Sequence, residues 1–308
     1  MTLSIVFPGQ GSQAVGMMSD LAASHGIVKE LFVEASDVLG TDLWAMTQEG
    51  PIEQLSQTEN TQPALLTAGV AAWRVWQSLG GAVPSMMAGH SLGEYTALVS
   101  AGAISFADGV ALVRDRGRYM QDAVPAGEGG MAAIIGLEDE QVRQVCAAAA
   151  QGDVLQAVNF NAPGQVVIAG SAAAIERALV MMKDAGARRA LPLPVSIPAH
   201  SSLMSSASAR LAERISTIDI TVPEIPVIHN YSVTVAKDAA EIASNLVSQL
   251  DSPVRWVESV QAMHAQGVNQ FIESGPGRVL GGMIKRIVSG VEIASIEKAD
   301  AYEALIQA

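Results

Sequence analysis

"PSMMAGHSLGEYTALVSAG" (residues 84–102) decides the fold. A short apolar run enters a serine set between two glycines, and helix-forming residues follow. Strand, sharp turn and helix written G-x-S-x-G make a nucleophile elbow. The turn needs glycines at 89 and 93, where side chains would clash. It lifts Ser91 Oγ out of the sheet and places it at a helix N-terminus, where free N–H groups and the helix dipole favour a developing oxyanion. The plainer reading makes Ser91 an N-cap between turn glycines. The strand before it and the helix after it weigh against that.

Outward from this elbow the chain alternates. "LSIVF" (3–7) reads as a buried strand closed by the loop "PGQGSQ", and helical patterns cover 27–39, 63–79, 91–101 and 106–121. Alternating strands and helices predict an α/β domain with a mainly parallel sheet, of α/β-hydrolase-like type. At "VPAGEGG" (124–130) the composition shifts as in a linker. Then come "MAAIIGL", a helix near 138–150, "VLQAVNFNAP", "QVVIAGS", a helix near 172–185 and "RRALPLPVS". That order is the signature of a ferredoxin-like α+β unit. The expected layout is a large domain, 1–124 with 199–308, interrupted by a small subdomain, 125–198. "PVIHNYS" and "NQFIESGPG" supply strand-to-loop segments in the second part of the large domain.

The 308 residues are 49% hydrophobic and 16% charged, a compact enzyme-like composition. No apolar run approaches the roughly 18 residues of a membrane span. The start reads as a strand and not as a secretory signal, so a cytoplasmic location is expected. A net charge of −13 argues against general nucleic-acid binding. An acidic chain can still meet an anionic partner through a local basic patch. Cys146, the single cysteine, excludes intrachain disulfides and thiolate zinc clusters, and its helical surroundings mark it as a buried small residue. No metal site is expected.

A serine hydroxyl needs a base. Of the five histidines, His90 is read as packing, and His25 and His264 as surface residues. His200 follows a proline-punctuated strand and opens a helix at the return to the large domain, while His229 ends the strand "IPVIH"; spacing leaves both open. No acid announces itself as a third triad member. "FPGQGSQ" lacks the Lys-Ser/Thr of a P-loop, and Gly9 and Gly11 alone do not match G-x-G-x-x-G. Gln10 is instead expected at the first strand tip, by the crevice where such sheets gather their active sites. In "FADGVALVRDRGRYM" Arg114 and Arg116 both flank the apolar face, but Leu112, Val113, Tyr119 and Met120 bracket Arg116. A guanidinium among apolar side chains needs an anion. The choice is an internal salt bridge or a bidentate clamp on a substrate carboxylate.

Together "FPGQGSQ", "TQPAL", "GHSLGEYTAL", "RDRGRYM", "NAPGQVVIAG" and "ESGPGRVL" resemble the malonyl-CoA:acyl carrier protein transacylases over essentially the whole chain. The resemblance implies Ser91 as the acylated nucleophile, His200 as its base, and the backbone N–H groups of Gln10 and Leu92 as the oxyanion hole. It implies Arg116 on the malonyl carboxylate and the Gln249 backbone carbonyl orienting His200. It places Arg188, Arg189, Lys285 and Arg286 near the cleft mouth, as a patch for CoA or the acyl carrier protein; ordinary surface charge is the alternative. It implies no permanently bound cofactor, malonyl-CoA and the phosphopantetheinyl carrier protein as substrates, no nucleic acid or membrane, and a monomer. Fatty acid synthesis is the expected destination, with polyketide synthesis or malonate decarboxylation as other carrier pathways. The rival reading is a serine hydrolase of α/β-hydrolase type. The interrupted layout, the Gln10 loop and Arg116 argue against it.

Overall fold

In the computed structural model, which describes residues 2–195 and 197–306, nine strands fall into two sheets. They are β1 (Leu3–Phe7), β2 (Met86–Gly89), β3 (Gly129–Ile135), β4 (Leu155–Ala162), β5 (Gln165–Ser171), β6 (Arg189–Pro192), β7 (Val227–Ile228), β8 (Gln270–Glu273) and β9 (Glu292–Ser295). The larger sheet runs β7-β2-β1-β8-β9 with every pair parallel. β1 and β2 are buried along their whole length, as strands covered on both faces must be. The period-2 alternation divides them between two cores. Leu3, Ile5, Phe7 and Met87 point into the larger core with the helix Thr58–Ser78, whereas Val6, Met86 and Ala88 point into a smaller one around Trp256 and Phe271.

The second sheet runs β4-β5-β3-β6 with every pair antiparallel. With the helices Asp139–Ala150 and Ala172–Asp184 between its strands it is the expected ferredoxin-like unit. One face packs on those helices through Ala132, Ile134, Val166 and Ile168. The other face presents Met131, Val158, Val167 and Ala169, covered by Leu193, Val195 and Ala199. That second face turns toward the tips of β1 and β2.

Two local expectations shift. The helix expected from 63 starts at Thr58, with Pro63 inside it in the second turn, where the missing N–H removes the i→i−4 bond to the Glu59 carbonyl. The linker expected over 124–130 ends sooner, because Gly129 and Gly130 already pair with Ser171 and Gly170 as the start of β3. Among the described residues no helix is long and apolar enough to cross a membrane.

Candidate active site

β2 ends at Gly89 and the helix Leu92–Ser100 begins one residue after Ser91. A Cβ on Gly89 would lie 1.9 Å from the Gly93 carbonyl carbon, and one on Gly93 would lie 2.0 Å from the Phe7 carbonyl oxygen. The helix thus rests directly on the strand tips, and only glycine fits at either position. Ser91 is held at φ 52°, ψ −107°. Such a backbone costs about 1–3 kcal/mol and persists only where its surroundings over-determine it. Here they do: the Ser91 N–H donates to Asn230 Oδ1 at 2.7 Å, and Gln249 Nε2 donates to the Ser91 carbonyl at 2.9 Å.

Of the two histidines left open, the structure brings His200 to the serine. Its Nε2 stands 2.7 Å from Ser91 Oγ, and its Nδ1 stands 2.7 Å from the Gln249 backbone carbonyl. A carbonyl only accepts, so Nδ1 carries the proton and the Nε2 lone pair faces the hydroxyl. Burial first, and the Arg116 charge second, push the His200 pKa down to about 3, against the pull of the Gln249 carbonyl. His200 is therefore a neutral base at ordinary pH.

His229 faces away. Its Nδ1 lies 2.7 Å from Glu94 Oε1, and both side chains are buried. This acid–histidine pair stands behind the elbow. Glu94 Oε2 takes the Asn230 amide N–H at 2.9 Å, which sets the Asn230 side chain against Ser91 and Gly89. His90 lines the cavity, stacks edge-on against Trp256 and meets Asn161 Oδ1 at 2.7 Å, tying the elbow to β4. Of the two read as surface residues, His264 is exposed and His25 is half-buried beside the Tyr302 ring.

The arginine ambiguity also resolves. Arg118 pairs with Glu59 at 2.7 Å and Arg114 lies 3.6 Å from Asp115, while Arg116 has no carboxylate partner among the described residues. It is 1% exposed. Its Nη1 donates to Gln62 Oε1 at 2.8 Å, and its Nη2 to Gln249 Oε1 at 3.1 Å and Ser91 Oγ at 3.2 Å. The guanidinium stands over the Tyr95 ring, 5.1 Å from its centroid, and its Nε has no partner. Burial lowers its pKa, opposed by Tyr95 and Glu94. A desolvated cation held by neutral amides is matched to an incoming anion.

A cavity of about 140 Å³ collects these groups: Gln10, Ser91, Leu92, Arg116 and His200 at the strand tips, with Met131, Asn159, Leu193 and Val195 opposite. Among the described residues neither the Gln10 nor the Leu92 N–H has a backbone or side-chain acceptor, whereas the Ser91 N–H is taken by Asn230. Both of those residues line the cavity. Arg188, Arg189 and Arg286 gather at the far end of the small sheet. Arg188 packs on Gly136, Arg189 lies across from Ile135, and Arg286 donates to the Pro163 carbonyl and Gln165 Oε1. Lys285 is exposed one residue before Arg286. None of the four lines the cavity. Sequence reading missed roles for Gln62, Glu94 and Asn230. Gln62 and Glu94 stand inside "TQPAL" and "GHSLGEYTAL", but their partners are remote in the chain. Among the described residues no group of three His, Cys, Asp or Glu side chains could hold a metal ion.

A neutral base on an elbow serine, with two free amides alongside, is the apparatus of acyl transfer. An acyl transferase domain matches residues 5–299. The chain belongs to the acyl transferase family. It is 54% identical over 303 residues to the malonyl CoA-acyl carrier protein transacylase of Salmonella typhimurium, covering 98% of each chain. It is 44% identical over 306 residues to that of Bacillus subtilis, covering 99% of this chain and 96% of the other. Among solved structures, an acyl carrier protein S-malonyltransferase from Vibrio cholerae superposes with TM-score 0.97 at 56% identity, over 99% of this chain and 100% of that one. A malonyl-transacylase solved with a type II PKS acyl-carrier protein superposes with TM-score 0.98 at 51% identity, over 100% and 99%.

Proposed function

We propose that this acyltransferase moves the malonyl group from malonyl-CoA to the phosphopantetheine thiol of an acyl carrier protein, by a ping-pong route that supplies fatty acid synthesis. One observation carries the choice of substrate: a buried guanidinium with no carboxylate partner among the described residues and with Nη2 3.2 Å from Ser91 Oγ. An acyl chain bearing a free carboxylate satisfies that cation, and acetyl does not.

In the first half-reaction His200 Nε2 takes the hydroxyl proton as Ser91 Oγ attacks the thioester carbon. The oxyanion falls to the Gln10 and Leu92 N–H groups; one such donor is worth roughly 3–4 kcal/mol. The intermediate expels the CoA sulfur, which takes the proton from the imidazolium and leaves malonyl-Ser91. In the second half the carrier thiol gives its proton to His200 and its sulfur attacks the ester. Ser91 departs and recovers the proton. The Gln249 carbonyl stabilises the imidazolium in both halves, the role an acid plays in a triad. Arg116 holds the carboxylate throughout, so the acyl carbon is presented to Oγ in one orientation.

Arg188, Arg189, Lys285 and Arg286 belong to this reading as the docking patch for the anionic CoA and carrier protein. The clustering of the three arginines around the 136 and 163–165 turns, with Lys285 exposed beside Arg286, in a chain of net charge −13, supports it. Residues 1–124 with 199–308 act as the catalytic domain, and 125–198 as a small subdomain closing over the site. The reading takes the protein to act as a cytoplasmic monomer. The test incubates the protein with malonyl-CoA and holo carrier protein and separates malonyl-carrier from free malonate. Malonyl-carrier as the main product supports the proposal, and free malonate alone would make the protein a hydrolase.

A further inference from the structure

Behind Ser91, His200 and Arg116 lies an enclosed polar layer that the transfer chemistry does not itself use. Glu94 and Gln249 are both 0% exposed. Glu94 Oε1 meets His229 Nδ1, and its Oε2 accepts from the Asn230 N–H at 2.9 Å and from Gln249 Nε2 at 2.8 Å. Gln249 Nε2 donates as well to the Ser91 carbonyl at 2.9 Å, and its Oε1 accepts from Arg116 Nη2 at 3.1 Å.

A carboxamide has one donating and one accepting end of almost the same shape, and only its neighbours decide which way it faces. Here one side offers two acceptors, the Glu94 carboxylate and the Ser91 carbonyl. The Gln249 NH2 must turn to them, which leaves its oxygen toward Arg116. The reverse orientation would set NH2 against guanidinium donors. A direct Glu94–Arg116 ion pair would also fix the guanidinium, but it would fill the N–H fork that an incoming carboxylate needs. With the amide interposed, the internal anion offsets the buried cation from one residue back and leaves the fork open.

We propose that Glu94 and the Gln249 side chain are positioning residues for substrate selection: Glu94 sets the polarity of the Gln249 carboxamide, and that carboxamide holds Arg116 beside Ser91 without standing where the substrate carboxylate binds. This rests on the reading of Arg116 as the malonyl clamp. Gln249 then has two separable parts, a main-chain carbonyl for the base and a side chain for the clamp.

The experiment measures kcat and KM for malonyl-CoA and acetyl-CoA with holo carrier protein in wild type, Gln249→Met, Glu94→Gln and Glu94→Met. Gln249→Met keeps the carbonyl on His200 and removes the amide. Its malonyl-to-acetyl ratio of kcat/KM should fall about tenfold or more, chiefly through the malonyl KM. Glu94→Gln can give its oxygen to Asn230 and Gln249 and its NH2 to the other tautomer of His229. Its ratio should stay within about threefold of wild type, while Glu94→Met should lose it. A purely structural role would slow both thioesters together and leave the ratio unmoved in Gln249→Met, which would overturn the proposal. A ratio lost equally in Glu94→Gln would mean that charge and not acceptor pattern sets the site, and would overturn it too. If Glu94→Met does not fold, the other two variants still decide. A wild type without malonyl preference would instead defeat the clamp itself.

Discussion

Replacing Arg116 by alanine tests the substrate assignment at its root. The guanidinium is 1% exposed and is held by Gln62, Gln249 and Ser91. A malonyl carboxylate bound there is desolvated and pairs with a cation that has no internal competitor. Deleting one partner of such a pair costs about 2–5 kcal/mol. At about 1.4 kcal/mol per tenfold, kcat/KM for malonyl-CoA should fall by about 30- to 4,000-fold. Acetyl-CoA has no carboxylate to lose, so its kcat/KM should change only a few-fold. The malonyl preference should therefore shrink by about tenfold or more. The fold should survive with a lowered Tm: a desolvated cation is removed and no direct ion pair is broken, while Gln62, Gln249 and Ser91 each lose a donor and Glu94 loses the cation that offsets it. Arg116→Lys should fall between, since an ammonium cannot reproduce the planar fork that spans Gln62 and Gln249. The assay is steady-state transfer from each thioester to holo carrier protein, with Tm as the folding control. A folded Arg116→Ala protein that kept its malonyl preference would refute the clamp.

Gly93→Ala should cost more than about 3 kcal/mol, because its Cβ would sit 2.0 Å from the Phe7 carbonyl oxygen with only backbone to move; a wild-type Tm would contradict the close approach. Stability should fall in mild acid. Burial and the Arg116 charge hold the His200 pKa near 3 in the native state against 6.5 for the free side chain, and His90 is lowered by burial as well. Between those values the unfolded chain binds protons the native one refuses, so stability is present above pH 6.5 and is lost as pH falls toward 3. Urea midpoints from pH 7.5 to 5 should show this decline, with a shallower slope in His200→Gln; identical slopes would contradict it. Reversing the charges of Arg188, Arg189, Lys285 and Arg286 should raise the carrier-protein KM most at low salt. An unchanged KM at every ionic strength would remove the docking patch, and Arg286→Gln separates lost charge from the lost Pro163 contact.

The elbow was legible because close approach leaves its own mark: two glycines flanking a serine are what a helix lying on a strand tip demands. The ferredoxin-like unit was legible from element order alone, since each element carries its own periodicity. Arg116 was separable from Arg114 by its apolar neighbours at i±3 and i±4. The structure supplies the complementary fact that the arginines on either side have acids close by, Asp115 and Glu59. His200 and His229 could not be told apart by spacing, because both follow strand-like segments and only the assembled sheet sets one beside Ser91 and the other behind it. Glu94, Asn230 and Gln249 interact across 136 to 155 residues of chain, and no local pattern records such contacts. The two-residue β7 is shorter than any alternation can reveal, although it is the sheet edge from which Asn230 follows.

The central claim is a malonyl ester on Ser91, and intact-mass analysis after brief incubation with malonyl-CoA, without carrier protein, reads it directly. Wild type should gain one malonyl group, mapped to the peptide containing Ser91, and should lose it when holo carrier protein is added. Ser91→Ala should gain nothing. A malonyl adduct retained in Ser91→Ala, or a wild type that turns over malonyl-CoA with no acyl-enzyme at any time, would contradict the account.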